Sequence, residues 1–92
     1  MRKFKDSLTE KIFKGNPVKG FSYNILRRAV IKLTMVEAAV EIRELRTPPS
    51  NHLEKLKGNR TGQWSIRVND QYRICFKWHN SKACEIEFTD YH

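Results

Sequence analysis

The residues best suited to chemistry are the last three of the chain and two arginines of a predicted hairpin. The chain ends in Asp90, Tyr91 and His92, which combine an acid, a phenol and an imidazole. Imidazole titrates near neutral pH, so His92 is suited to general acid or base work. Arg67 and Arg73 would supply positive charge for an anionic group. These residue types predict acid–base chemistry at an anion, provided that the fold brings them together.

An antiparallel hairpin is expected to position the two arginines. A three-residue turn, Asn69 to Gln71, separates two alternating apolar runs and keeps both on one face. This register puts Arg67 opposite Arg73 on the other face, where like charges are unfavourable unless water or an anion screens them. We favour an anion site over two solvated surface arginines. The apolar positions are Trp64, Ile66, Val68, Tyr72, Ile74 and Phe76.

A further strand, from Ala83 to about Thr89, should bring the C-terminus to the same turn. Its alternation predicts that Cys84 faces inward while Cys75 of the hairpin faces outward, so the two cannot form a disulfide. Tyr91 and His92 would then lie beside the turn. The extended register pairs Ile74 with Phe88, Arg73 with Thr89, Phe76 with Ile86, Lys77 with Glu85, and Trp78 with Cys84.

Two helices are predicted before the hairpin. Ser7 and Glu10 have the spacing of a capping box, which predicts a short helix to about Lys14. Apolar residues spaced by three and four predict a longer helix from Ser22 to about Ala39, with one face on the sheet. Residues 2–5 are a candidate edge strand, and residues 47–51 form a connector that Pro48 and Pro49 keep out of helical conformation. The predicted fold class is α+β, with both helices packed on one face of a mainly antiparallel sheet.

Composition indicates one soluble globular domain spanning residues 1–92, with 39% hydrophobic and 30% charged residues. The net charge of +8 favours a polyanionic partner, whether nucleic acid, an anionic membrane surface or an acidic protein. No apolar run is long enough to span a membrane, and no secretory signal is visible. Two unpaired cysteines without a CxxC motif predict a cytoplasmic protein without a thiolate metal site.

The segment LKGNRTGQWSIRVNDQYRICF, from Leu56 to Phe76, together with the terminal DYH, resembles the HigB branch of the RelE superfamily of bacterial toxins. The preceding ELRTPPSNHLE fits one subgroup, whereas the helices match in pattern only. The resemblance implies a RelE-like fold and a ribosome-dependent endoribonuclease that cuts mRNA in the 30S A site. It also implies neutralisation by a helix-turn-helix antitoxin of the HigA type. The toxin would contact operator DNA only through this antitoxin.

The resemblance further implies that Lys57, Arg73, Asp90, Tyr91 and His92 belong to the active surface. Many relatives carry a histidine at the position of Glu54, whereas the histidine of this chain, His52, lies two residues earlier. On a strand both side chains would share a face, so the identity of the second acid–base group stays open between them. No cofactor or metal is implied.

Metal-free RNA cleavage needs a base for the 2′-hydroxyl, cations for the charged phosphorane and an acid for the leaving 5′-oxygen. We assign His92 as general acid or base, Asp90 as its orienting partner and Tyr91 as a hydrogen-bonding or base-stacking group. Arg73 and Lys57 would hold the scissile phosphate. The candidate RNA-binding residues are Arg67, Arg60 and His52, and Glu54 is a candidate catalytic acid or base.

Two other functions use the same basic sheet. One is a non-catalytic RNA- or ribosome-binding module, and the other is an inhibitor of a protein target, as in the related ParE branch. The pair Lys57 and Arg73 together with the terminal DYH argues against both. Codon preference, antitoxin stoichiometry and strict ribosome dependence are not specified by the sequence.

Overall fold

The computed structural model describes residues 2–90 and confirms the α+β fold. The four strands form one sheet in the order β1-β2-β3-β4, and each is antiparallel to its neighbour. Across residues 2–90, no helix has both the length and the apolarity that crossing a membrane requires. The elements are α1 (Ser7–Phe13), α2 (Tyr23–Ala38), β1 (Glu54–Lys55), β2 (Gln63–Arg67), β3 (Tyr72–His79) and β4 (Lys82–Asp90), with 3₁₀ turns at Ile42–Arg46, Pro49–Asn51 and Gly58–Arg60.

Both helices begin at side-chain caps. The backbone N–H of Ile25 donates to Ser22 Oγ at 3.2 Å, so α2 starts where the sequence predicts. The start of α1 is different, because the backbone N–H of Thr9 donates to Asp6 Oδ1 at 2.9 Å. The predicted capping box beginning at Ser7 is therefore wrong, and the cap lies one residue earlier.

The core lies between α2 and one face of the sheet. Ala29, Leu33 and Val36 of α2 are fully buried against the apolar residues of the strands. Burying a side chain of this size contributes roughly 1.5–3 kcal/mol. Arg67 and Arg73 are not part of this cluster, which fits their predicted place on the other face. The strand residues in the cluster are Ile66, Val68, Ile74, Phe76, Ala83, Ile86 and Phe88, with Trp64, Tyr72 and Trp78 packed against it.

The predicted register is confirmed at the hairpin and fails further along β4. Arg67 pairs with Arg73, and Arg73 with Thr89, as expected. The register shifts by one beyond Cys75, so that Lys77 pairs with Cys84 and Trp78 with Ala83. The predicted pairs of Trp78 with Cys84 and of Lys77 with Glu85 are therefore wrong.

The extra residue at this bulge is Glu85, whose backbone has a φ of 48°. Because directly paired residues share a face, Cys84 joins Lys77 on the face away from the helices. The prediction that Cys84 faces inward is thus wrong. Both cysteines are nevertheless buried and free.

The N-terminal segment runs parallel to the outer edge of β4. Lys5 N–H donates to the Ile86 carbonyl at 2.9 Å, and Glu85 N–H donates to the Arg2 carbonyl at 2.8 Å. The predicted edge strand at residues 2–5 is therefore a single bridge between Phe4 and Ile86. It covers part of an edge that would otherwise offer unpaired backbone groups.

Candidate functional site

An open polar cleft of about 390 Å³ lies at the turn end of the β2–β3 hairpin. Its lining combines two guanidinium groups, two carboxylates, one imidazole and two side-chain amides. This composition suits an anionic ligand and proton transfer beside it. The lining residues are His52, Glu54, Arg67, Asn69, Asp70, Gln71 and Arg73.

The turn itself is held by Asn69. Its Oδ1 accepts hydrogen bonds from the backbone N–H groups of Gln71 and Tyr72 at 2.9 and 2.7 Å. Asparagine side chains stabilise turns in this way by bonding to backbone groups two and three residues on. Below the turn, the ring of Tyr72 stacks on Phe88 at a centroid distance of 4.8 Å and meets Phe21 edge-on. The turn end of the cleft is therefore anchored to the core.

Arg73 is the most firmly held cation of the cleft. Its Nε donates to Ser65 Oγ at 2.9 Å, and its Nη2 donates to the His52 carbonyl at 2.7 Å. The same nitrogen is 4.0 Å from Glu54 Oε1, and the side chain is only 14% exposed. A guanidinium carries five N–H donors in a rigid fork, so two fixed bonds orient the remaining donors.

Arg67 lies directly across from Arg73 and is paired with Asp70 of the turn. The Asp70 side chain is 95% exposed, whereas that of Arg67 is 37% exposed. Each arginine thus faces a carboxylate, Asp70 for Arg67 and Glu54 for Arg73. These carboxylates reduce the repulsion that two opposed arginines would otherwise cause.

His52 and Glu54 both line the cleft but reach it by different routes. Glu54 begins β1 and pairs with Ser65 of β2. His52 follows the 3₁₀ turn Pro49–Asn51 and has left-handed backbone angles, with φ 45° and ψ 57°. The expectation that both residues share the face of one strand is therefore wrong, because the strand begins only at Glu54. Both remain candidates for the second acid–base group.

Two predicted basic residues lie outside the cleft lining. Lys57 precedes the 3₁₀ turn Gly58–Arg60, at the far end of β1 from the cleft. Arg60 Nη1 donates to Gln63 Oε1 and to Glu87 Oε1, each at 3.1 Å. The roles of Lys57 and Arg60 at the RNA-binding surface stay predictions.

The end of β4 lies next to the cleft. Asp90 pairs with Tyr72, and its Oδ2 accepts a hydrogen bond from Gln71 Nε2 at 3.0 Å. Asp90 is thus linked to the cleft through Gln71 rather than lining it. Directly paired residues share a face, so the register places the Asp90 side chain with Tyr72, on the helix side of the sheet end. The predicted roles of Tyr91 and His92 fall outside the described residues.

Three residues of this region, Ser65, Asp70 and Gln71, have roles that the sequence pattern did not predict. Ser65 anchors Arg73, Asp70 pairs with Arg67, and Gln71 connects the cleft with Asp90. The sequence pattern does place Ser65 on the outer face of β2, and Asp70 and Gln71 in the turn between the arginines. It does not indicate the direction in which each side chain points.

Neither thiol is prepared for nucleophilic chemistry. Cys75 lies on the same face of β3 as Arg73, and burial raises the pKa of its thiol, with nearby charges as smaller influences. Burial likewise raises the pKa of the Cys84 thiol. A raised pKa keeps the thiol protonated, whereas the thiolate is the nucleophile. Within residues 2–90, no group of three or more His, Cys, Asp or Glu side chains is arranged to hold a metal ion.

A larger groove of about 490 Å³ lies on the helix layer, between the end of α1, the following loop and α2. Apolar side chains dominate it, among them Val18, Phe21, Leu26 and Ile31. Arg27 is its one charged lining residue, and no acid or base accompanies it. Size alone would favour this groove, but the chemistry of the lining favours the polar cleft as the candidate active site.

Comparisons with known proteins identify the family of this chain. Residues 2–92 match the family described as the RelE-like toxin of type II toxin–antitoxin system HigB. "Toxin HigB-1" of Vibrio cholerae is 38% identical over 76 residues, covering 82% of this chain and 80% of that protein. "Endoribonuclease HigB" of Proteus vulgaris is 32% identical over 92 residues, covering 100% of this chain and 99% of that protein. An uncharacterized protein of Haemophilus influenzae is 45% identical over 61 residues, which are 66% of this chain and 57% of that protein's length.

Proposed function

Because this chain belongs to the HigB-like family of RelE-like toxins of type II toxin–antitoxin systems, we propose that it is an endoribonuclease that cleaves mRNA in the ribosomal 30S A site. The observation that carries the proposal is the polar cleft. There Arg67 and Arg73 oppose each other beside His52 and Glu54, with the end of β4 next to the same turn. A phosphodiester is an anion that two opposed arginines can hold.

The proposed reaction is an attack of the ribose 2′-oxygen on the adjacent phosphorus. A base removes the 2′-hydroxyl proton, the bond from phosphorus to the 5′-oxygen breaks, and an acid protonates that leaving oxygen. His92 serves as general acid or base with Asp90 as its orienting partner, and His52 or Glu54 serves as the second acid–base group. Arg73, which is held by two hydrogen bonds, stabilises the developing charge on the phosphorane.

The remaining predicted residues would bind RNA around the scissile bond. Arg67 supports the phosphate after releasing Asp70, and Tyr91 stacks on a base or donates a hydrogen bond. Lys57 would hold the scissile phosphate together with Arg73, and Arg60 would bind RNA beside it. No cofactor is needed for this chemistry, because the cations of the cleft supply the positive charge.

Membership of a type II family implies an antitoxin partner. We propose a helix-turn-helix antitoxin of the HigA type, encoded beside the toxin, with operator DNA bound only through it. The net charge of +8 suits both the ribosome and an acidic antitoxin. The proposed compartment is the cytoplasm, where mRNA is translated.

The test is cleavage of a defined mRNA on programmed ribosomes, mapped by primer extension. We expect His92→Ala to abolish cleavage, and Arg73→Ala to lower kcat by roughly 10²–10³-fold, as the loss of an electrostatic group typically does. Arg27→Ala on α2 is the matched control, since it removes the same charge on the helix layer and should cleave normally. His52→Gln and Glu54→Gln distinguish the two acid–base candidates, because replacing the catalytic one should lower kcat far more than replacing the other.

Three results would contradict the proposal in different ways. Full activity of His92→Ala would overturn the assignment of the C-terminus. Toxicity in cells without any RNA cleavage would favour a ParE-like inhibitor of a protein target. If the unmodified protein binds ribosomes but does not cleave mRNA, and the variants bind equally well, a non-catalytic RNA-binding module would be favoured.

A further inference from the structure

One of the two hydrogen bonds that hold Arg73 ends on a backbone carbonyl outside the sheet. The acceptor is the His52 carbonyl, at 2.7 Å from Nη2. His52 has left-handed backbone angles and precedes a strand of only two residues, Glu54–Lys55. Non-glycine residues adopt this conformation only where the surrounding structure holds them in it. The position of Arg73 therefore depends on what fixes the chain just before His52.

Asn51 fixes that part of the chain. It is fully buried, and its Nδ2 donates to the Leu45 and Thr47 carbonyls at 3.1 and 3.3 Å. Its backbone N–H donates to the Pro48 carbonyl at 2.9 Å. A side-chain amide has two N–H donors and one acceptor oxygen, and here the donors tie Asn51 to the preceding 3₁₀ turn at Leu45 and to the connector at Thr47. Asn51 thus closes the segment that ends at His52.

Lys32 joins this closed segment to the helix layer. Its Nζ donates a short hydrogen bond to Asn51 Oδ1. Burial, and then the neighbouring charge of Arg28, lower the pKa of the Lys32 ammonium. A partly buried ammonium is stabilised by a protein acceptor, which Asn51 provides. Hydrogen bonds therefore link α2 to Asn51, the peptide bond links Asn51 to His52, and a further hydrogen bond links the His52 carbonyl to Arg73.

We propose that Asn51 and Lys32 are positioning residues, which fix the His52 carbonyl so that it holds the Arg73 guanidinium in the cleft. Neither side chain lines the cleft, so both act through Arg73. The catalytic consequence rests on the proposed function, whereas the structural consequence does not. The two consequences are therefore measured separately.

The first measurement is a double-mutant cycle in the ribosomal cleavage assay. Asn51→Ala should lower kcat by roughly 10- to 100-fold with little change in KM, because small misplacements of a catalytic group have effects of this size. In the Arg73→Ala background the same substitution should have almost no effect. Lys32→Gln keeps a donor for Asn51 and should retain activity, whereas Lys32→Met should behave like a milder Asn51→Ala.

The matched control is Thr9→Val. Thr9 is also fully buried, and its Oγ1 accepts a hydrogen bond from the Phe88 N–H at 2.9 Å and donates to Asp6 Oδ1 at 2.6 Å. It lies between α1 and β4, at the opposite edge of the sheet from β1 and the His52 segment, so its loss should destabilise the protein without changing kcat of the folded fraction. Equal losses of kcat in Thr9→Val and Asn51→Ala would show that Asn51 only stabilises the fold, and this would overturn the proposal.

The second measurement needs no RNA and keeps the proposal testable even if the chain proves not to be a nuclease. The Arg73 Nη–H signals are followed by ¹⁵N NMR, because Nη2 carries the bond to the His52 carbonyl, and Ser65→Ala serves as the reference for loss of the other bond, at Nε. Asn51→Ala and Lys32→Met should speed the solvent exchange of the Nη protons at least severalfold, whereas Thr9→Val and Lys32→Gln should not. An unchanged Arg73 signal in a folded Asn51→Ala or Lys32→Met variant would overturn the positioning role.

Discussion

At the scale of single residues, each arginine of the cleft faces a carboxylate of its own chain. Asp70 pairs with Arg67, and Glu54 lies 4.0 Å from Arg73. The two arginines are held differently, because Arg67 pairs with the almost fully exposed Asp70 whereas Arg73 is nearly buried and hydrogen-bonded to Ser65 and the His52 carbonyl. An RNA phosphate must therefore compete with Asp70 for Arg67, while Arg73 is already oriented. Asp70 is thus expected to weaken RNA binding.

Asp70→Asn tests this competition. It should tighten RNA binding by roughly two- to fivefold, since an exposed ion pair of this kind is worth about 0.2–1 kcal/mol. The matched control is Glu10→Gln on α1, which removes an equal charge from an exposed pair with Lys14. Affinity is measured with a single-stranded RNA oligonucleotide at constant salt. Equal tightening in both variants would mean that total charge, not competition for Arg67, sets the affinity.

The alternation of the hairpin predicts the opposition of Arg67 and Arg73, because strand register follows from which face is buried. The anchors of Arg73 cannot be predicted in the same way. Ser65 and the His52 carbonyl are brought together by β1 and a left-handed residue, and neither has a local sequence pattern. Sequence periodicity specifies faces, whereas side-chain direction depends on packing.

At the scale of elements, the β3–β4 pair carries a bulge that alternation did not predict. Glu85 is the extra residue, with a φ of 48°. Bulges of this kind usually place glycine in the left-handed conformation, and here a glutamate occupies it. The apolar pattern of β4 continues through Ile86 and Phe88, so nothing in the sequence marks the shift. The register beyond Cys75 was therefore wrong, while the part nearest the cleft was right.

Glu85→Gly should relieve this backbone strain. A non-glycine residue in the left-handed region costs on the order of 1 kcal/mol, so the free energy of unfolding should rise by roughly 0.5–1 kcal/mol. The pair lost with Arg2 spans 3.7 Å and leaves Glu85 Oε2 buried without a hydrogen bond from residues 2–90, so its loss should offset little of this gain. The control is Glu87→Gly in the same strand, which loses the bonds to Arg60 and Lys5 and should destabilise. Urea unfolding measures both, and a lower stability for Glu85→Gly would show that the glutamate side chain outweighs the strain.

At the scale of the whole molecule, two different surfaces lie on opposite sides of the sheet. Helices α1 and α2 cover one face, and the apolar groove lies on their layer. Arg67 and Arg73 belong to the other face, which the helices leave open. The net charge of +8 does not show which face the arginines occupy. Arg67 and Arg73 lie on the outer face because the apolar residues of α2 pack on the inner face.

A basic protein that binds RNA through its phosphates should lose affinity steeply as salt rises, because binding releases condensed counterions. For single strands, the slope of log affinity against log salt is about −0.7 for each phosphate neutralised. Arg67→Ala should therefore make the slope shallower by roughly 0.7, if Arg67 exchanges Asp70 for a phosphate. Arg27→Ala on the helix layer should leave the slope unchanged, although it removes the same charge. The titration is run with an RNA oligonucleotide and then with programmed ribosomes. Affinity that does not change with salt, for the oligonucleotide and for ribosomes alike, would indicate a target without a polyanionic surface. Equal slope changes in Arg67→Ala and Arg27→Ala would mean that RNA does not bind at the cleft face.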